Sequence, residues 1–141
     1  LARWTGLTVT EARRAMAGAR EAGESMGFPL AEFDGGLARA DLSDLVEECR
    51  AEAEAMHALP SFDELHVGYK DRSCLTDDAL ESLICPAKNG MFRPIAVEGG
   101  RVVAVLAPGR QVVVAPGWKS REESARRAFD EWEKWLSKTQ R

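Results

Sequence analysis

Glu47, Glu48, Glu52 and Glu54 lie within one short stretch, close enough for two carboxylates to act as general acid and base. That chemistry needs one carboxyl set apart from the other by burial or by a charged neighbour. Nothing around these four supplies either, so they read as a solvated acidic helix face. His57, His66, Cys49, Cys74 and Cys85 are the other side chains able to ligate a metal or attack a carbon. None falls in a C-x-x-C or H-x-x-x-H spacing, so no metal is expected, and no cofactor motif is present. P-loop, G-x-G-x-x-G and G-x-S-x-G patterns are missing too. An odd cysteine count without close pairing fits a reducing, cytoplasmic setting better than a disulfide framework.

The remaining chemistry is that of cations. The net charge is −4, but it is unevenly spread over the chain. Residues 28–58 carry eight acids against two bases, whereas residues 1–27 and 119–141 are slightly basic. A basic face can therefore exist beside one acidic helix. No apolar run reaches the roughly 18 residues of a membrane-spanning helix. The chain starts at Leu1 without a methionine, and Leu1 and Trp4 stand at helical spacing, as in a helix cut at its N-terminus.

Positioning elements follow from caps and periodicity. Thr8-Val9-Thr10-Glu11 is a capping box. The helix it opens turns Val9, Ala12, Met16 and Ala19 inward and leaves Arg13, Arg14 and Arg20 outward. Asp34-Gly35-Gly36 predicts a hairpin turn between Met26–Asp34 and Leu37–Ala40. Asp41 caps a helix with an apolar stripe of Leu42, Leu45, Val46, Cys49, Ala53 and Met56. Leu65 to Tyr69 reads as a short apolar strand framed by turn residues. Thr76-Asp77-Asp78 opens a short helix through Leu80, Leu83 and Ile84 that Pro86 stops. Met91–Glu98, Arg101–Ala107 and Arg110–Ala115 read as three strands joined at Gly99-Gly100 and Pro108-Gly109. Their near-continuous valines point to burial on both sides, as in a small closed barrel. Ser120-Arg121-Glu122-Glu123 is a second capping box, and its helix turns Ala125, Ala128, Phe129, Trp132 and Leu136 to one face with Trp135 at the border.

The segments Leu59-Pro60-Ser61-Phe62-Asp63-Glu64, Gly68-Tyr69-Lys70-Asp71-Arg72-Ser73, Asn89-Gly90-Met91-Phe92-Arg93-Pro94 and Gly100-Arg101-Val102-Val103 resemble the C-terminal signature of the AlkZ/YcaQ family of bacterial winged-helix DNA glycosylases. Trp4-Thr5-Gly6-Leu7-Thr8 with Glu11-Ala12-Arg13-Arg14-Ala15 is similar to that family's last helix-turn-helix. The resemblance implies an α+β chain: a partial winged helix over residues 1–58, then a small antiparallel β-barrel with a C-terminal helix over 59–141. It further implies a parent hydrolase of DNA repair that removes alkylated or crosslinked purine bases without metal or cofactor. The family's catalytic Gln-apolar-Gln or Gln-apolar-Asp motif has no counterpart here. Gln111 is followed by two valines, and Gln140 is one residue from the end.

Two partners are thus expected: double-stranded DNA and an N-terminal remainder of the parent. Arg13, Arg14, Lys70, Arg72, Asn89 and Arg93 are the candidate DNA contacts, the first two at the start of a recognition helix and the others as phosphate ligands. Asp63, Arg72 and Arg93 could equally form buried ion pairs that hold the β unit together. After Val103 the family tends to carry an aromatic and arginines, whereas Ala104-Val105-Leu106 makes an apolar strand here. A non-enzymatic winged-helix regulator and a protein-interaction module are the alternatives.

Overall fold

The computed structural model describes residues 1–139, with Arg3 described by its backbone alone. The chain divides into two compact units, Leu1–Arg50 and Ala51–Arg141. Both combine helices with antiparallel strands, so the expected α+β class holds.

The first unit starts with a single turn, α1 (Ala2–Thr5), and a long helix, α2 (Val9–Ser25). The Thr8 capping box forms as expected: Glu11 N donates to Thr8 Oγ1 at 3.3 Å, and Thr8 N donates to the Glu11 carboxylate at 2.9 Å. A hairpin of β1 (Leu30–Phe33) and β2 (Gly36–Arg39) follows. Its turn residues, Asp34 at φ 45° and Gly35 at φ 74°, are both left-handed, the geometry that matches strand twist in two-residue loops. Gly23 lets this hairpin approach α2, because a Cβ there would stand 2.6 Å from the Phe28 carbonyl oxygen.

The inward face expected of α2 is not buried as a whole. Ala12 is covered, whereas Val9 and Met16 remain exposed. The stripe expected on α3 (Leu42–Ala53) also differs: Leu42 and Leu45 are half-covered and Val46 is exposed. Two four-residue strands offer too little apolar area to cover these helices. Asp41 does precede α3, but its carboxylate is held by the Arg39 guanidinium at 2.6 and 2.9 Å.

The second unit is an open four-stranded antiparallel sheet in the order β3-β4-β5-β6, formed by β3 (His57–Leu59), β4 (Ile95–Glu98), β5 (Arg101–Ala107) and β6 (Gln111–Val114). It does not close into the expected barrel. The double-sided burial that suggested closure comes from helices instead. Leu80 and Ile84 of α5 (Asp78–Ile84) pack with Ile95, Val97, Val102 and Val105, while Ala125 and Phe129 of α6 (Glu122–Thr139) pack with Ala96, Val103, Ala104 and Val112 on the other face.

A register shift in the β4–β5 pairing explains how adjacent β5 residues serve both layers. Ala96 pairs with Ala104 but Val97 pairs with Val102, so Val103 is the extra residue of a bulge. Val102 and Val105 then face α5, and Val103 and Ala104 face α6. Because β5 is a central strand, its apolar run fills the core between α5 and α6.

Two further expectations change. Leu65–Tyr69 is not a strand, since Glu64–Val67 forms a helical turn, α4, capped by Asp63. The first strand of the main sheet is instead the upstream β3, and Met91–Pro94 runs irregularly before β4 because Pro94 lacks the N–H a ladder needs. The chain enters α6 through a 3-10 turn at Lys119–Arg121, so that helix begins two residues after Ser120. Of its predicted face Ala125, Ala128 and Phe129 are buried and Trp132 and Leu136 half-buried, while Trp135, expected at the border, is exposed.

Phe129→Ala should remove about 3–5 kcal/mol of stability, whereas Trp135→Ala should change it by under about 0.5 kcal/mol; urea unfolding measures both. In the first unit, hydrogen bonds from the Thr8 side chain and then its backbone hold the Glu11 carboxyl below its ordinary range. A depressed carboxyl stabilises fully above its unfolded value and loses that effect as pH falls through the folded value. The protection factors of the amides at the start of α2, corrected for the intrinsic pH dependence of exchange, should therefore fall in acid, and Glu11→Gln should abolish that fall.

Candidate nucleic-acid interface

The segments that carry the polar candidates meet around one carboxylate. Asp63 Oδ1 accepts from Leu65 N at 2.9 Å and starts α4, which brings His66 into the interior at 2% exposure. Asp77 caps α5 in the same manner, accepting from Leu80 N at 2.8 Å, and this helix presents Glu81. Glu81 Oε2 accepts from His66 Nε2 at 2.8 Å, and Glu81 Oε1 accepts from Arg72 Nη1 at 2.8 Å. Arg72 Nε also donates to the His66 carbonyl at 2.6 Å. Each oxygen of the carboxylate thus has a partner, the condition for burying part of such a charge.

Aromatic rings complete the arrangement. Phe92 stands edge-on to His66 at 5.3 Å and to Phe62 at 5.6 Å, and the Arg72 guanidinium lies 5.9 Å from the Phe92 centroid. Two concavities share this network. One of about 590 Å³ is lined by Arg72, Glu81, Cys85, Lys88 and Phe92 among others; a second of about 520 Å³ is lined by Lys70, Arg72, Ser73, Asp77 and Arg101 among others. Asp71 steadies the loop beneath Lys70: its carboxylate accepts from Ser73, backbone first, and sits below its ordinary range for that reason.

The six candidate residues separate into three situations. Lys70 and Asn89 are exposed, with Asn89 Oδ1 accepting from Met91 N at 3.1 Å. Arg72 and Arg93 are half-buried and engaged: Arg93 Nη1 donates to the Leu83 carbonyl at 3.2 Å, and its backbone N donates to the Ile84 carbonyl at 3.0 Å. The alternative of an Asp63–Arg93 ion pair is not realised, because Asp63 is taken by the α4 cap and Arg93 by a carbonyl. Arg13 and Arg14 are exposed on α2, in the other unit.

Glu81 escaped the sequence reading, and His66 entered it only as a side chain without metal-ligand spacing. The one signal for Glu81 was an acid between Leu80 and Leu83 on a helix too short to show an amphipathic period. Lys88 also went unremarked, although it lines the larger concavity at φ 49°. Gln140 lies outside the described residues. Among the described residues no group of three or more His, Cys, Asp or Glu side chains converges as a metal site, and no helix is long and apolar enough to cross a membrane.

Lys70, Arg72, Lys88 and Arg101 line the two adjoining concavities together with Asp71, Asp77, Asp78 and Glu81, so their walls carry both signs of charge. The sequence model described as DNA glycosylase AlkZ-like matches residues 1–135, and the chain belongs to that family. Membership associates it with DNA repair and DNA binding. No curated protein and no solved structure gives a match.

Glu81→Ala should cost about 2–4 kcal/mol, because it strands the buried His66 N–H and half of Arg72's bonds. Arg93→Ala removes one bond to a carbonyl and should cost about 1 kcal/mol. Thermal unfolding of the two variants tests that order.

Proposed function

We propose that this chain is the DNA-docking portion of a glycosylase acting on alkylated or crosslinked purines in duplex DNA. The observation that carries this reading is a pair of exposed lysines, Lys70 and Lys88, each lining one of two concavities whose walls also hold Asp71, Asp77, Asp78 and Glu81. Lys70 and Lys88 have no anionic partner among the described residues, so their charge is available to phosphate. Asn89 stands beside them as a neutral donor. Arg72 and Arg93 act one step back: Arg72 pairs with Glu81 and Arg93 donates to the Leu83 carbonyl, so both hold the loops that present these groups.

In the first unit, α2 and the β1–β2 hairpin serve as helix and wing of a winged-helix arm, with Arg13 and Arg14 on the helix face that meets the duplex. Base excision needs a positioned water and a group that stabilises the developing oxocarbenium. Family resemblance assigns that work to a Gln-apolar-Gln or Gln-apolar-Asp motif, which this sequence lacks. The hydrolytic step is accordingly carried out by another portion of the protein, in the cytoplasm and without metal.

A second reading, a protein-interaction module, is favoured by one observation. Trp4, Val9, Met26, Phe28, Phe33 and Val46 are exposed apolar side chains in a unit whose buried core is small.

Fluorescence anisotropy on a labelled duplex across a salt series tests the docking reading. Log affinity should fall against log salt with a slope of roughly −2 to −4, and Arg13→Ala combined with Arg14→Ala should flatten it while the unfolding midpoint stays put. Salt-independent affinity, or no binding at low salt, would favour the interaction module. A duplex carrying N7-alkylated guanine should keep its base on incubation with this chain alone. Turnover abolished by mutating a residue of this chain would overturn the assignment of chemistry elsewhere.

A further inference from the structure

We propose that the open edge of the second unit's sheet is a self-pairing surface: β6 adds antiparallel to β6 of a second copy of this chain, with Val113 on the two-fold axis. β6 ends the strand order β3-β4-β5-β6, so one side of it has no strand beside it. The ladder fixes which backbone groups face that side. Ala115 N donates to the Val103 carbonyl at 2.8 Å, and Leu106 N donates away from β6, to the Pro94 carbonyl at 3.0 Å. Gln111 and Val113, in register with Ala107 and Val105, therefore bond to β5 as Ala115 does. Val112 and Val114, opposite Leu106 and Ala104, turn their N–H and C=O groups outward, and no described residue bonds to those groups.

Free edges are commonly blunted by a charge, a proline or a bulge. Gln111–Val114 has none of the three. A groove of about 410 Å³ follows this edge instead, lined by every residue from Gln111 to Gly117 together with Lys119 and Glu122. Donors and acceptors on alternate residues of a strand are met in full by another extended backbone, which identifies the class of occupant.

Charge and symmetry together select a second copy. Lys119 and Glu122 are the two charged residues of the groove and they cancel, so a phosphate backbone or a strongly charged peptide finds no excess of opposite sign. A neutral, β-branched strand fits, and Gln111–Val114 is itself such a strand. The outward residues are placed symmetrically about Val113. With Val113 opposite its own copy, Val112 of each molecule faces Val114 of the other, and every outward N–H meets a C=O. Lys119 and Glu122 of the two copies then stand at opposite ends of the seam. The axis runs perpendicular to the sheet, so both α5 helices lie on one face and both α6 helices on the other. Four residues per copy cover less than the roughly 1,200 Å² of a stable interface, so the dimer is weak.

Sedimentation equilibrium on the wild-type chain should show a monomer–dimer equilibrium with a dissociation constant on the order of 100 μM. As the dimer fraction rises, hydrogen exchange should slow at the Val112 and Val114 amides, while the Val113 amide, already bonded to β5, should change little. Val113→Lys and Val113→Glu each set like charges across the axis and should each weaken dimerisation at least about tenfold. Their equimolar mixture should recover it as a heterodimer. A chain still monomeric at about 1 mM overturns the proposal and leaves the edge to a strand of another protein. A dimer whose Val112 and Val114 amides exchange as in the monomer overturns it too, as do species that keep growing with concentration, the mark of head-to-tail pairing. Folded variants whose mixture stays monomeric have the same consequence. If neither variant folds, exchange in the wild type decides alone.

Discussion

Glu81 ties together three segments far apart in sequence. Its two oxygens take His66 from α4, Arg72 from the loop beyond it, and through them the Phe92 ring that precedes β4. A carboxylate 31% exposed at its side chain is tolerable only while both partners stay in place. The loops between β3 and β4 have little regular structure of their own. Their conformation follows from this one bridge and from the caps at Asp63 and Asp77.

The sheet supplies the rigidity behind that bridge. With a bulge at Val103, a single central strand sends adjacent side chains into two cores, one under α5 and one under α6. Trp118 touches both clusters at the turn before α6. Arg110, itself at φ 61°, pairs with Asp130 and Glu133, so α6 is clamped to the β5–β6 connection at the surface as well as in the core. The helix carrying Glu81 therefore packs on a face that cannot shift without disturbing the other.

Local signals were legible in the sequence. The Asp34-Gly35 turn, the cap at Asp77, the span of β5 and the buried face of α6 each depend on a few neighbouring residues, and each appears in the structure. What was not legible depended on long-range competition. Leu65 to Tyr69 has the composition of a strand, but the Asp63 cap and the bonds of His66 to Glu81 make helix the better solution. Valine runs that suggested a closed barrel reflect a bulge and two covering helices, which no periodicity announces. Of the candidate site, the cations were visible by type, yet the role of each waited on partners: Arg93 spends its donor on the Leu83 carbonyl, and Arg72 shares Glu81 with a histidine that had seemed unremarkable.

The strand order also fixes how this unit can assemble. β4, β5 and β6 form a meander whose pairings join neighbours in sequence, whereas β3 reaches β4 only after the whole segment from Pro60 to Pro94 has been closed into a loop. Closure costs chain entropy before the three-residue ladder returns anything, so the meander with α6 can form early and β3 must arrive late. The loop closed by that last step is the one that carries Phe62, Lys70, Glu81 and Lys88. The face proposed to dock DNA is thus completed only when the longest-range pairing of the sheet is made, which couples its arrival to the end of folding rather than to its beginning.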